Sequence, residues 1–345
     1  MFLLLNSDIV QKQIRSFQFT ADIIDTIGQR FGEIVLPIPK SKSIRDKYIK
    51  QTRDALYKRV VGKAFIKHCP KIIESVLLNN NINALEEFFK QSIDEIAENI
   101  STETITSEFG EFETFWISSK DISDLIYLPK YYDPSIKEEL DKLGSSCYLK
   151  TMGEMYEEGM IEYHTGDEIG KMAYGTGDIP FIRTSDFSNW EIKHDPKQGI
   201  SEEVYMQYKD KEDVAENDIL LVRDGTYLVG SSCLITKYDV KSLYCGGLYK
   251  IRVKNESLLD PYLFLGLLNS YIVKRQIRTK QFTRDVIDTI GNRIDEVIIP
   301  IPKSAEIRKS ISNAIKGVID SRIKAREYIS ELSNKITTSD FAAIE

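Results

Sequence analysis

An α+β fold, with a curved, mostly antiparallel sheet and long helices that form an antiparallel pair, is predicted by three features of this 345-residue sequence. A 41-residue stretch occurs twice, as LNSDIVQKQIRSFQFTADIIDTIGQRFGEIVLPIPKSKSIR from Leu5 and as LNSYIVKRQIRTKQFTRDVIDTIGNRIDEVIIPIPKSAEIR from Leu268. The copies align without a gap at an offset of 263 (269 − 6), with roughly two-thirds of positions identical. So wide a spacing marks two similar half-molecules and excludes a solenoid, whose period is tens of residues. Between the copies, short strand-like runs alternate with Gly- and Asp-marked turns. After the second copy, Ile311, Val318, Ala325 and Leu332 fall seven apart, the seam of a paired helix.

Each copy reads as helix, QFT, a short apolar segment closed by Gly28 or Gly291, an extended run and a second helix. Ile9, Val10 and Ile14, and likewise Ile272, Val273 and Ile277, have helical spacing. In EIVLPIP and EVIIPIP the prolines cannot donate to a central ladder, so the run is expected at a sheet edge or outside the sheet. Ser41 and Ser304 stand where a helix would be capped. After Ser41 the chain stays helix-prone to about Ile100, with breaks expected at Cys69–Pro70 and at Asn79–Asn81. FGEFETFWISS opens a second domain, and DIPFIRTSDF, NDILLVRDGTYLVGSSCLITKY and LYCGGLYKIRVK supply its strands. Companion residues Ala314, Tyr328 and Ile329 complete the last helix, which is expected to pair with the helix after the first copy about a local two-fold, ahead of a frayed TTSDFAAIE.

Composition narrows the function. With 29% charged and 42% hydrophobic residues and no apolar run of about 18, a soluble, cytoplasmic globular chain is expected. Its apolar opening matches the internal LGLLNSYIV, so it is read as folded structure and not as a leader. Four scattered cysteines and three scattered histidines give no metal-ligand spacing and no nucleophile–histidine pair. The net charge of −7 disfavours a polyanionic partner, yet residues 270–310 carry nine Lys or Arg against five acids. Local basic faces decide such contacts.

Two loops carry candidate chemistry. Tyr174–Trp190 holds Arg183, Thr184, Ser185 and Asn189; Leu221–Tyr227 holds Arg223 and Thr226. Arginine grips guanine or phosphate at two points, asparagine reads adenine, hydroxyls hold phosphate, and glycines let backbone approach a duplex. Ordinary strand-end turns with Arg–Asp surface pairs are the alternative. Lys280, Gln281 and Arg284, beside the second QFT, are candidate phosphate contacts. Asp178, Glu191 and Lys193 can also be written as the Asp…Glu-x-Lys set of a metal-dependent DNA endonuclease. A third possibility is a protein-assembly scaffold in which only the helices matter.

The duplicated IPIPKSxxIR exit into a helix (Pro37–Arg45, Pro300–Arg308), the helix–QFT–TIG segment, GDIPFIRTSDFSNWEI from Gly177 and DILLVRDG from Asp218 together resemble the specificity (S) subunit of type I restriction–modification systems. The resemblance spans nearly the whole chain. It implies residues 1–39 as the end of a first target-recognition domain, 40–104 as a conserved helical spacer, 105–302 as a complete recognition domain and 303–345 as a second spacer. A full-length member would carry a recognition domain before Leu5, so the chain is expected to be an N-terminally truncated form, working as a homodimer or paired with another S-type chain. The resemblance further implies a non-catalytic phage-defence subunit that binds half of a split site on double-stranded DNA. It would dock methyltransferase (M) subunits, and a restriction (R) subunit could join. S-adenosylmethionine, ATP and Mg would be used only by those partners in adenine N6 methylation and cleavage, and this chain would hold no cofactor. The sequence agrees in lacking the Asn/Asp-Pro-Pro-Tyr motif of such methyltransferases.

Overall fold

The computed structural model describes residues 1–21, 24–79, 81–91, 117, 120, 122–123, 126–188, 190–193, 198–225, 227–284 and 287–338. In chain order the first elements are α1 (Phe2–Leu5), α2 (Asp8–Phe17), the hairpin β1 (Phe19–Ala21) and β2 (Ile24–Thr26), α3 (Lys42–Asn79) and α4 (Asn83–Lys90). Then come α5 (Pro134–Leu143), β3 (Cys147–Thr151), α6 (Met152–Glu157), β4 (Ile161–Thr165), β5 (Phe181–Ile182), β6 (Phe187–Ser188) and β7 (Glu191–Ile192). The series continues with α7 (Glu202–Glu212), β8 (Ile219–Val222), β9 (Ser232–Leu234), β10 (Leu243–Tyr244), β11 (Leu248–Val253) and α8 (Pro261–Leu268). It ends with α9 (Tyr271–Thr279), the hairpin β12 (Phe282–Arg284) and β13 (Ile287–Thr289), β14 (Ile298–Pro302) and α10 (Ala305–Thr338). None of the helices among the described residues is long and apolar enough to cross a membrane.

The chain divides into two compact units, residues 1–64 with 317–345, and residues 65–316. In the first, α3 and α10 pack side by side. Leu3, Tyr48 and Leu332 form a buried cluster, with Ile44, Tyr328 and Ile329 against it, while Gly62 faces Val318 and Arg322. Contacts that climb along α3 descend along α10, so the helices are antiparallel, as the heptad seam predicts. Ile311, Val318, Ala325 and Leu332 are all buried.

In the second unit, the four-stranded antiparallel sheet β4–β11–β8–β9 is filled by Leu220, Val222, Cys233, Ile235, Tyr244 and Leu248. The short pair β5–β10 is parallel, and the remaining pairs are antiparallel. This is the mostly antiparallel architecture expected. One expectation is corrected. The break at Cys69–Pro70 does not occur, because α3 runs through Pro70 to Asn79. A helix-interior proline costs about 3 kcal/mol. Burial of Phe65, Cys69 and Ile73 around that turn offsets the penalty. The break at the asparagines does occur, since α4 begins at Asn83.

The two copies fold alike, element for element at the same offset, up to the extended run. Gly28 and Gly291 share a left-handed φ of 52° and 47°. Gln13 brackets Val35, accepting from its N–H (2.8 Å) and donating to its C=O (3.0 Å), and Gln276 does the same to Ile298 at 2.8 Å each. Arg45 donates to the carbonyls of Pro39 and Lys40, and Arg308 to those of Pro302 and Lys303. Because Ile298 turns its backbone groups toward Gln276, Pro300 and Pro302, in phase with it, leave their missing donors on that same side. Ile299 and Ile301 face the other way, into the ladder with β3. The prolines therefore sit at an edge, as predicted. Ser304 also caps α10 through the Ile307 N–H. The expected polar, aromatic domain entry at FGEFETFWISS lies almost wholly outside the described residues. Of TTSDFAAIE, Thr337 and Thr338 close α10, and the rest lies outside the described residues.

Candidate nucleic-acid interface

β8 is buried at the centre of its sheet and delivers Arg223 and Asp224 to its end. Both backbone N–H groups donate to the Gly247 carbonyl, at 2.9 and 3.1 Å. The Arg223 guanidinium donates to the Gly246 carbonyl (3.3 Å) and stands 5.8 Å over the Tyr249 ring. Burial pushes the Tyr249 hydroxyl up to about 12 against the opposing pull of Arg223, and it donates to the Gly291 carbonyl at 2.7 Å. This protonated phenol thereby ties the sheet to the second copy.

The loop is also stitched to the second copy's hairpin. Gly225 N–H donates to Asp288 O (2.9 Å), Ile290 N–H to Arg223 O (3.2 Å), and the Thr289 hydroxyl to the Asp224 carboxylate (2.5 Å). Its return, Gly230, has φ +83°, and a Cβ there would lie 2.9 Å from Ile277 Cγ2, so only glycine lets loop and α9 come this close. Two clefts flank this junction. One of about 910 Å³ is lined by Arg223, Phe282, Arg293 and Glu296 among others. The other, of about 420 Å³, is lined by Tyr227, Lys274, Arg278 and Gln281 among others.

The first loop meets the same turn. Arg183 follows β5 and is held by the buried Asp186, which accepts from its backbone N–H (2.8 Å), Nε (3.2 Å) and a terminal nitrogen (3.0 Å). A Cβ on Gly247 would lie 2.8 Å from the Thr184 methyl. Cys245 N–H donates to Ile182 O at 2.9 Å. The turn Cys245–Gly247 is thus gripped by both arginine loops. Ser185 is exposed beside them. Of the other predicted contacts, Asn189 and Thr226 lie outside the described residues, as does the side chain of Arg284, whose backbone is in β12.

Lys280 is less free than its position in the sequence implies. It pairs with Glu296 at 2.8 Å and lies 4.7 Å over the Tyr131 ring. Arg293 shares Glu296 at 3.3 Å and stands 4.5 Å over Phe282. Burial works to raise the Glu296 carboxyl, but Lys280, Tyr131 and Arg293 around it prevail and hold it below its usual range. Gln281 instead lines the smaller cleft with Lys274 and Arg278. Those two cations and Arg293 were not singled out from the sequence. The signal existed, since positions 274, 278 and 281 fall at i, i+4 and i+7, one face of a helix carried into the turn. Tyr227, 94% exposed at the cleft mouth, offers a ring on which a base can stack.

The residues of the nuclease set come from different elements. Asp178 is exposed in the turn before the Ile179–Ile200 bridge, and Glu191 lies opposite Ser188 in the β6–β7 hairpin. Among the described residues no three His, Cys, Asp or Glu side chains are placed to hold a metal ion.

No curated protein matches this chain. Among solved structures it is similar to a type I restriction–modification S subunit from M. genitalium, at 12% identity and a TM-score of 0.38, covering 98% of this chain and 70% of that one. It is also similar to the HsdS subunit from Thermoanaerobacter tengcongensis, at 13% identity and a TM-score of 0.33, covering 98% and 69%. A chain from a structure of assembly and conformational transition in the type I R-M system gives 14%, 0.35, 98% and 70%. Residues 158–334, half of the chain, match the model of the type I restriction modification DNA specificity domain. That stretch contains both arginine loops, the two clefts beside them and most of α10, and it places this chain in the type I restriction–modification DNA specificity family.

Proposed function

We propose that this chain reads one half of a split site on double-stranded DNA through the junction of the Arg223 loop with the second copy's hairpin. The observation that carries the proposal is that junction itself. Family membership comes from sequence, whereas the junction independently brings cationic, aromatic and backbone groups from four segments to the rim of two open clefts. Arg223 and Arg183, each fixed by carbonyls or by a carboxylate, are preorganised for two-point contact with base edges. Thr184 and Ser185 supply hydroxyls beside them. Lys274, Arg278 and Gln281 would follow the phosphates, and Lys280 and Arg293 would set the hairpin through Glu296 rather than carry charge to the duplex. Asn189, Thr226 and Arg284 keep the base or phosphate roles assigned from the sequence.

The paired helices α3 and α10 would set the reach between half-sites and dock methyltransferase subunits. Those partners, and a restriction subunit where present, would bring S-adenosylmethionine, ATP and Mg, leaving this chain non-catalytic and without a cofactor of its own. A second reading chain, a homodimer partner or another S-type chain, would supply the other half-site. The test is binding of the full chain, with co-purified methyltransferase, to a randomised duplex library followed by sequencing of what is retained. An enriched short motif supports the reading, and Arg223→Ala should relax one position of it at about 1–3 kcal/mol. Retention without any enriched motif would leave only a scaffold.

A further inference from the structure

The loop between β4 and β5 brings a third charged arm to the turn Cys245–Gly247, and its charge has the wrong sign for a polyanion. Gly166 N–H donates to Leu248 O at 3.3 Å, and a Cβ on Gly166 would lie 2.7 Å from Cys245 O, so glycine lets this segment lie directly on the turn. Asp167 N–H donates to the buried Glu212 carboxylate at 3.2 Å, and the Asp167 carboxylate pairs with Lys211. On the other side, Ile169 packs against Ile179, Phe181, Ile200 and Leu243. Glu168 is thus held from both sides. Its side chain is exposed and reaches Gly246, where a built Cβ would stand 2.9 Å from Glu168 Oε1. The Gly246 carbonyl is the one that accepts from the Arg223 guanidinium. Tyr174 feels the other arginine loop as well: burial raises its hydroxyl first, Glu168 raises it further, and Arg183 pulls it down. Glu168 therefore stands close to both arginine loops, yet among the described residues no ion pair or hydrogen bond neutralises it.

A bare carboxylate in that place repels phosphate, and at 0.1 M salt the repulsion extends over a Debye length of about 10 Å. Only the exocyclic amines of the major groove give such a group something to accept from. Adenine sets its amine beside the N7 acceptor, a pattern that suits an amide, because a carboxylate has no donor for N7. A C·G pair instead presents the cytosine amine beside the two acceptors of guanine, a pattern that suits a carboxylate with an arginine at its side. Resting on the DNA reading above, we infer that Glu168 accepts from the N4 amine of a cytosine in the half-site, while an arginine loop takes guanine next to it. Glu168 is then a residue of specificity rather than of affinity. It weakens the hold on every sequence and recovers the loss only where a cytosine amine meets it.

The test compares the parent chain with Glu168→Ala and Glu168→Gln, each with co-purified methyltransferase, on a randomised duplex library. Both substitutions fall on an exposed side chain, and matching unfolding midpoints confirm that the fold is kept. The parent motif should contain a C·G position whose preference falls at least about tenfold in Glu168→Ala. Glu168→Gln should turn that position toward adenine, whose N6 and N7 an amide spans. Affinity for duplex without the motif should rise about two- to fivefold in Glu168→Ala at low salt, opposite in sign to the loss of a phosphate-binding cation. An unchanged motif in Glu168→Ala overturns the proposal and leaves the DNA reading intact, as does relaxation at a position other than C·G. Weaker binding of Glu168→Ala to all sequences overturns it too, by assigning Glu168 a merely structural role. A parent chain that enriches no motif sinks the DNA reading itself.

Discussion

One 41-residue design occurs twice in this molecule, and its two occurrences are finished differently. Local devices are the same in both: the glycine turn, the glutamine bracket, the arginine that ties the last carbonyls before the long helix. The surroundings differ. In the second copy Arg275 reaches Glu139 (2.8 Å) on the covering helix α5 and Asp133 (3.3 Å) at its N-cap, while its counterpart Lys12 is exposed and, among the described residues, pairs only with Asp8. Arg293 shares Glu296 with Lys280, whereas the counterpart pair Arg30–Glu33 has no third charged partner among the described residues, and Arg30 stands 4.2 Å over Phe17. The lesson is that the repeat encodes its own backbone and leaves burial to whatever packs on it.

That claim can be broken at matched positions. The largest effect should come from placing a charge in the run. Ile301→Glu buries an unpaired carboxylate and should cost more than about 4 kcal/mol in urea denaturation, whereas Ile38→Glu should stay within about 0.5 kcal/mol. Similar losses at both sites would mean the first copy is covered after all.

Next comes a size exchange. Leu3 rests on Tyr48 and Leu332, and at the matching place Gly266 rests on Ile311, Ile315 and Ile73, a built Cβ lying 3.1–3.2 Å from all three. Gly266→Leu should overpack by about 1–3 kcal/mol. Leu3→Ala should lose about 2–4 kcal/mol by leaving a void. Thermal unfolding reads both.

A smaller effect separates the copies on DNA. Arg278→Ala should weaken binding to all sequences alike and flatten the salt slope by about one, while the equivalent Arg15→Ala should change neither. Equal losses would show that the first copy touches DNA too.

The smallest is a pH response in the helices that pack beside Arg275 of the covered copy. Glu74 is held above the usual carboxylate range, at about 8, first by burial and then by the neighbouring Glu139, against the pull of Arg275. A raised carboxyl favours the folded state while protonated, so this contribution is present below about 4.5 and is lost as pH rises toward 8. Glu74→Gln should flatten that decline in a pH series of unfolding midpoints. An unchanged series would place the titration elsewhere.

How much of this was legible in the sequence follows from the same contrast. Helices and the paired seam were readable because repetition and heptad spacing are local signals. Pro70 was misread because a local rule was applied where the packing of Phe65 and Ile73 decides. The candidate loops were found by residue type, but their junction was not, since Asp224 meets Thr289 across 65 residues. Lys280 looked free because its partner Glu296 lies in the turn beyond the hairpin, and nothing in the spacing announces the pair. The tie of Arg183 to Asp186, three residues on, was within reach of the sequence, but the burial of Asp186, which sets it apart from the surface pair weighed there, was not.

The in-phase prolines have one more consequence, for stoichiometry. A strand added beside Leu36 and Ile38 meets donors and acceptors, but the opposite flank offers Gln13 and two residues without an N–H. Pairing can proceed on one flank only, so this edge cannot pass a ladder on to a further strand. An apolar ribbon that would otherwise seed fibres is thereby limited to a single added strand.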